Sequence, residues 1–506
     1  MPETAQTGPP IAAGAGHGHT ASAGRDALPD IVLVVFDTAR WDRFGCYGYP
    51  RPTTPTVDSL AREGSLVRTM IANGPWTPPS HASLFTSLYP AQHGCQWQTG
   101  ISLRPSVRVT MAEWLQGLGY TTICATNNGL VSDRTGLARG FARYGYRMDL
   151  ERPAQRAVRQ AKRAAVGAES GGRVVNRWIR RQLADVPAER PLFLFVNYRE
   201  CHWSYAPPPR FVRRVGGPRF RPTRGLRYRT RIAARVGPWE AVARATPHEL
   251  EIYSTMYDGE LATADHHLEH LLDILGRAGR LRSGGSVVMV TSDHGEHVGE
   301  HGLADHHASL DDHLIRVPFV AWAPDRIAAQ EHPGMYEFVD VLPSLARHLG
   351  VPSPQPGLRG RRADLFEEDR SPAGEDPGVA RGADDPETYA FAEWRHWGTW
   401  YLKRLARRNP SYQGFDGLAQ DLVAVRTATH KLVRSGDGTE RLFDLVGDPA
   451  EEKDVGARLP EVAARLRSKL NDARDEWAAL PTTTEDGLDP SETREIETRL
   501  SELGYI

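Results

Sequence analysis

The run Ile31–Phe36, IVLVVF, followed directly by Asp37, is six apolar residues, four of them β-branched. It is too short for a helix core and lacks the polar alternation of a strand with one wet face. It therefore predicts a strand covered on both faces, as in a parallel sheet. Tyr120–Thr126, PLFLFV at Pro191–Val196, SVVMVT at Ser286–Thr291 and RVPFVAW at Arg316–Trp322 carry similar signatures. Helical patterns stand among them: Met111–Gly119, Ala154–Leu183, His248–Arg280 and Phe338–His348. This strand–helix rhythm predicts an α/β fold, a three-layer α/β/α sandwich around a mostly parallel central sheet.

Pro352–Pro386, dense in Pro, Gly, Arg and Asp, reads as a linker. After it the pattern changes to short strands in close succession, Leu422–Thr427, His430–Ser435 and Arg441–Leu445, then a helix over Pro460–Trp477. These predict a smaller C-terminal α+β subdomain with an antiparallel sheet. The expected organisation is a disordered Gly/Ala/Ser/Pro leader (1–28), a main domain (29–385) and the subdomain (386–506).

Lys plus Arg number 62 against 63 Asp plus Glu, a formal net charge of −1, so nothing global points to nucleic acid or a membrane surface. Four scattered cysteines, Cys46, Cys95, Cys124 and Cys201, suit neither a disulfide framework nor a metal motif. The leader has no basic and apolar signal-peptide pattern and no stretch suits a membrane span, so a cytoplasmic protein is expected. One local exception to the charge balance lies in the basic insertion, about 205–246. Ten arginines fall between Arg210 and Arg235 with no acidic residue among them. They are either a solvated surface or a funnel for an anionic substrate. Phe220, Tyr228 and Trp239 are interleaved nearby, but no nucleic-acid module is recognisable and no nucleic-acid partner is expected.

The strand ends carry the polar residues. Asp37 follows the first run, His202 lies in a proline-stiffened loop after the 191–196 run, and Asp293 and His294 follow the 286–291 run. In open α/β sheets this carboxyl edge is where ligands bind, although an Asp there also serves as an N-cap or Asx-turn. Two carboxylates and an imidazole suit one divalent cation, Mn²⁺, Zn²⁺, Ca²⁺ or Mg²⁺. The segment after His294 adds His297, His301, His306 and His307 among further carboxylates. In Asn73–Gly94, NGPWTPPSHASLFTSLYPAQHG, Thr77 precedes two prolines and Ser80 reads as the N-cap of a helix over Ala82–Leu88. Thr77 would then sit at a helix N-terminus, which favours anions.

Six segments together carry a family resemblance: VVFDTARWDRFGCYG, TPPSHASLFTSLYPAQHG, NYRECHWSYAPPP, YDGELATAD, TSDHGEHVGEHGLADHHASLDDHLIRVPF and RLFDLVGDPAEEKDV. In order and spacing the chain resembles the type I sulfatases of the alkaline phosphatase superfamily from Ile31 to about Leu480. The resemblance implies that Asp37, Thr77, Asp293 and His294 hold one divalent metal ion and that Thr77 is the nucleophile. It implies that His202 and His306 meet the ester oxygens and the leaving group, and that His81 stands where sulfatases place an arginine.

Three departures bear on the chemistry. Thr38 occupies the place of a second aspartate, with Glu296 as one substitute. Thr77 replaces the Cys or Ser that becomes formylglycine; oxidising a threonine gives a ketone, so no formylglycine is expected. His81 replaces a permanent cation with a titratable one. The expected activity is hydrolysis of phosphate mono- or diesters or phosphonate esters, similar to the Thr-dependent phosphodiesterase branch. Sulfate-ester hydrolysis, group transfer from Thr77 and a non-catalytic relative remain open, with a small anionic ester as the expected partner.

Overall fold

The computed structural model describes residues 28–96, 101–217, 220–223, 225, 227, 245–281, 285–306, 308–354, 365–366, 388–396 and 420–478. The leader through residue 27, most of the 352–386 linker, much of the basic insertion and His307 lie outside the described residues.

The apolar run becomes strand β1 (Asp30–Phe36), every residue of it buried. Alternate side chains leave opposite faces of a strand, so β1 contributes to two cores at once. Val32, Val34 and Phe36 face the core roofed by helices Gly172–Leu183 and Pro247–Arg277, while Ile31, Leu33 and Val35 face that roofed by Thr77–Thr86, Met111–Gly117 and Val341–His348. At about 1.5–3 kcal/mol per fully buried large aliphatic or aromatic side chain, this double burial makes β1 a principal anchor of the fold.

The remaining strands of the main sheet are β2 (Ser65–Ile71), β3 (Thr121–Thr126), β4 (Arg143–Tyr146), β5 (Leu192–Tyr198), β6 (Ser286–Thr291), β9 (Arg316–Trp322) and β10 (Gln330–Glu337). The short pair β7 (His297–Val298) and β8 (Ala304–Asp305) stands apart. The main order is β10-β2-β9-β6-β1-β5-β3-β4. β1 pairs in parallel with β5 and β6, and only β9 runs antiparallel to its neighbours, β2 and β6. The expected sandwich around a mostly parallel sheet is what the chain builds. The helical pattern at 154–183 is two helices, Pro153–Val166 and Gly172–Leu183, broken where Gly167 and Gly171 take positive φ.

The C-terminal antiparallel sheet has the order β11 (Ala390–Trp394), β12 (Leu422–Arg426), β13 (His430–Ser435) and β14 (Glu440–Asp444), with helix Pro460–Ala478 across one face. Its other face shares a core with Ile71, Trp76, Leu310 and Leu314 of the main domain. A buried charged cluster reinforces that seam. Lys431, with no exposed side-chain surface, donates from Nζ to Leu310 O (2.7 Å), Asp312 Oδ1 (3.1 Å) and Glu451 Oε1 (2.8 Å). Arg426 clamps both oxygens of Asp312 at 3.1 and 2.8 Å.

Candidate metal and catalytic site

The carboxyl ends of β1, β3, β5 and β6 converge, and the polar residue that ends or follows each strand enters one buried site. One ligand atom from each of Asp37, Asp293 and His294 lies within 4.8 Å of the others. All three side chains are fully buried. Asp293 Oδ1 accepts the backbone N–H groups of Thr38 (3.0 Å) and His294 (2.9 Å). His294 Nδ1 lies 2.9 Å from Gly295 O; an N–H donated there leaves Nε2 with its lone pair, 3.3 Å from Asp293 Oδ2. A backbone partner that fixes the imidazole tautomer in this way is the usual support of a metal-ligating histidine.

Asp37 Oδ1, Asp293 Oδ2 and His294 Nε2 make no hydrogen bond. Burial and the facing Asp293 push the Asp37 carboxyl up to about 7, while His294 and His81 hold Asp293 below the usual carboxylate range against its own burial. Two dry carboxylates with outward-turned lone pairs and an imidazole nitrogen beside them form a donor set that fits one divalent cation.

Thr77 opens helix Thr77–Thr86, with Trp76 as N-cap. Ser80 is therefore inside the helix and not its cap; its hydroxyl donates to Asp293 O. The prolines explain the shift, since both sit in the first turn, where a missing N–H breaks no helical bond. They also alter the expected anion site. Pro78 and Pro79 have no N–H, and Ser80 N is bonded to Trp76 O at 3.3 Å, so the first turn offers an anion few backbone donors.

Asn128, just past β3, joins the parts. Its Nδ2 lies 2.5 Å from Asp37 Oδ2 and 3.2 Å from Thr77 Oγ1. Asn197 of β5 reaches Asp37 Oδ2 at 3.4 Å and His81 Nε2 at 3.5 Å. His81 is fully buried, edge-on to Phe85 and Phe195, with Nδ1 2.9 Å from Thr77 O and 3.5 Å from Asp293 Oδ2. Burial lowers its pKa, which favours the neutral ring beside Thr77.

Two further histidines face the site with opposite character. The His306 ring lies 4.4 Å from that of His294 and 5.1 Å from that of His202. Although burial opposes it, Asp305 (Oδ1 2.8 Å from Nδ1) and Glu296 (3.5 Å) raise His306 to about 10, so it is cationic at neutral pH. His202 is pushed well below its ordinary value by burial, with Arg199 Nη2 3.0 Å from its Nδ1 and His306 nearby adding to the effect. Glu296 thus groups with His306 and Asp305, not with the Asp37 carboxylates. His297 and His301 turn away to Asp311, at 2.9 and 3.5 Å, and His313 lines a separate pocket with Trp41 and Arg426.

Thr38 holds φ 61°, a left-handed conformation rare for a β-branched residue, and its buried Oγ1 has no hydrogen-bond partner. Its carbonyl accepts from Tyr257 Oη at 2.8 Å. Asn127 and Asn128 follow β3 and Asn197 lies near the end of β5. This repeated placement of an amide at the end of a buried strand is the local signal that marks them.

A family model described as Sulfatase matches residues 29–351. The chain belongs to the sulfatase family. Among curated relatives, the uncharacterized sulfatase YidJ of Escherichia coli (strain K12) is 21% identical over 351 residues, 65% of this chain and 69% of that one. The ulvan-active sulfatase of Formosa agariphila is 23% identical over 478 residues, 89% of this chain and 82% of the relative. Among solved structures, the phosphonate monoester hydrolase of Agrobacterium radiobacter aligns with a TM-score of 0.64 at 20% identity, covering 91% of this chain and 99% of that one. A structure of BT4656 with its substrate D-glucosamine-2-N,6-O-disulfate gives 0.65 at 17% identity, covering 90% and 99%. Both share the fold of this sulfatase-family chain. The described residues contain no helix long and apolar enough to cross a membrane.

Proposed function

We propose that this protein is a metal-dependent hydrolase of phosphate or phosphonate esters, with Thr77 as nucleophile and Asp37, Asp293 and His294 holding the ion. The observation that carries the reading is the Thr77 hydroxyl held beside Asp37 by one amide, Asn128, within a donor set whose Oδ1, Oδ2 and Nε2 atoms are otherwise unsatisfied. When bound there, a divalent cation supplies the positive charge that makes a neighbouring hydroxyl more acidic and offsets charge on the ester.

The chain's own residues account for the rest. Asn128 orients Thr77 Oγ1 for in-line attack. The Oγ1–phosphorus bond forms as the ester P–O bond breaks, the threonine proton passing to solvent. His306, charged through Asp305 and Glu296, donates its Nε2 proton to the departing oxygen. Water then attacks phosphorus and gives one proton to His306 as the Oγ1–phosphorus bond breaks, and Thr77 Oγ1 takes back a proton from solvent as the phosphate or phosphonate product leaves. His202, kept neutral, positions the ester by hydrogen bonding. Few backbone donors remain at the start of the Thr77 helix, so anion recognition falls to His306 and Arg199.

The threonine methyl favours phosphorus over sulfur. A formylglycine hydrate expels sulfate by reforming its aldehyde, whereas threonine has no such exit and its ester must be cleaved by water at the central atom. Hydrolysis of sulfate esters is the second reading, supported by the names of the curated relatives. The four thiols are all unpaired, three of them buried, which suits the reducing cytoplasm. The test is intact-protein mass spectrometry during turnover of an aryl phosphonate and an aryl phosphate diester, with an aryl sulfate in parallel. A phosphoryl or phosphonyl adduct mapped to Thr77 is expected. Turnover of the aryl sulfate alone overturns the substrate assignment, and an adduct elsewhere overturns the nucleophile.

A further inference from the structure

A second convergence of metal-type donors lies apart from the Asp37 set. Glu169 comes from the break between helices Pro153–Val166 and Gly172–Leu183, Glu200 from the turn after β5, and His267 from helix Pro247–Arg277. His267 Nε2 lies 3.3 Å from Glu200 Oε1 and 3.9 Å from Glu169 Oε2. The side chains of His267 and Glu200 are 3% and 0% exposed, and that of Glu169 is 19% exposed. Neither His267 Nε2 nor Glu169 Oε2 makes a hydrogen bond.

An ion pair of His267 with Glu200 leaves the second carboxylate, Glu169, facing the same ring nitrogen with no donor on its Oε2. A tetrahedral cation accounts for it better. Donors at about 2.0–2.2 Å from a zinc ion lie roughly 3.3–3.6 Å from one another; the His267–Glu200 spacing falls in that range, and Glu169 Oε2, at 3.9 Å, ligates after a small inward shift. The spacing between His267 Nε2 and Glu200 Oε1 equals that between His294 Nε2 and Asp293 Oδ2 in the first site.

Glu200 is braced as a ligand would be. Its Oε1 accepts Gly172 N at 3.0 Å and its Oε2 lies 3.4 Å from Asn127 Nδ2. His267 and Glu169 both border a cavity of about 750 Å³, together with Lys162, Arg173 and Arg210. An ion has an entry path there and an outward position for water or an anion.

We propose that Glu169, Glu200 and His267 form a second divalent-cation site, suited to Zn²⁺, with its fourth position open to that cavity. Glu200 lies two residues before His202, and its partner Asn127 adjoins Asn128. An ion bound here therefore fixes the loop and the strand end that line the first site without touching the ester.

The test is metal analysis of the full-length protein loaded with Zn²⁺ alone, in an Asp293→Ala background that clears the first site. Asp293→Ala is expected to retain one Zn²⁺ per chain, and Asp293→Ala/His267→Ala none. Glu169→Gln, at the least buried of the three positions and nearly isosteric, is expected to weaken Zn²⁺ binding in the Asp293→Ala background by about tenfold or more. Co²⁺ in its place is expected to give visible ligand-field bands that the His267 change abolishes. A folded Asp293→Ala protein that binds no Zn²⁺ at micromolar concentration overturns the proposal. So do Zn²⁺ content and affinity unchanged by both the His267 and Glu169 substitutions. Hydrolysis need not be measured, so the outcome is independent of the assignment of Thr77.

Discussion

Asn128 Nδ2 stands 3.2 Å from Thr77 Oγ1, and the same nitrogen lies 2.5 Å from Asp37 Oδ2. One amide thus sets the distance between the proposed nucleophile and a proposed metal ligand. Asn128→Ala frees the hydroxyl to rotate and removes a donor from a buried carboxylate. A misplaced reacting group costs on the order of 100-fold, and that is the expected loss in kcat, with KM changing less. Steady-state kinetics on an aryl phosphonate decide it; wild-type kcat in a folded variant removes the positioning role.

Replacing Thr77 separates hydroxyl from methyl. Thr77→Ala is expected to lose activity by a factor on the order of 10⁴ or more, as when other catalytic nucleophiles are deleted. Thr77→Ser keeps the hydroxyl and is expected to retain most of it, because Asn128 can still hold Oγ. Comparing both variants by initial rate and adduct mass tests the assignment; substantial turnover by Thr77→Ala excludes it.

Lys431 bridges the C-terminal sheet to Leu310 and Asp312, in the segment that follows His306. Lys431→Ala leaves Asp312 and Glu451 buried with part of their countercharge gone, at an expected cost of about 3–5 kcal/mol. Because the same contacts brace the His306 segment, activity is expected to fall below the transition temperature as well. Urea denaturation and residual turnover of one sample read the two effects. A variant as stable as the parent shows that Arg426 alone suffices for Asp312.

Glu260 gives a stability trend with pH. Burial raises its carboxyl to about 7 in the folded chain, although Arg163 pulls the other way. The folded pKa lies above the ordinary 4.5, so folding takes up a proton in this interval. Its contribution is fully present below about pH 4.5 and is lost as the pH rises through about 7. Glu260→Gln, which keeps an acceptor for Ala206 N and Arg163, is expected to lessen the fall in melting temperature between pH 5 and 8. Parallel melting curves of both proteins across that range test this; identical slopes exclude Glu260 as the source.

What could be read in the sequence follows from burial. β1, β5 and β6 lie inside the sheet, covered on both faces, and their apolar runs announce them. β2, with Arg68 and Thr69 partly exposed, and the edge strand β10, with Glu331 and Pro333, lack such runs because solvent reaches them. Asp37, Asp293 and His294 were legible because each follows a buried strand directly. Asn128 acts through partners 51 and 91 residues away, and no local pattern encodes such a pairing. Glu169, Glu200 and His267 form no local pattern for the same reason, the last 67 residues beyond the second. The prolines after Thr77 are visible in the sequence, but a proline pair fits both the approach to a helix and its first turn, and the structure takes the second with Trp76 as N-cap.

The position of β1 fixes the order in which the protein can be finished. The first of the described strands, β1, sits between β5 and β6, and its neighbours begin only at residues 192 and 286. The segment behind His306 then takes its last support from Lys431. During synthesis Asp37 waits for most of the polypeptide before its surroundings exist, and a chain stalled before β12 carries every residue of the Asp37 site without Arg426 and Lys431, which hold Asp312 in the segment after His306. Truncated products should therefore be inactive even when the main sheet has formed, which makes the C-terminal sheet a checkpoint for the completed enzyme.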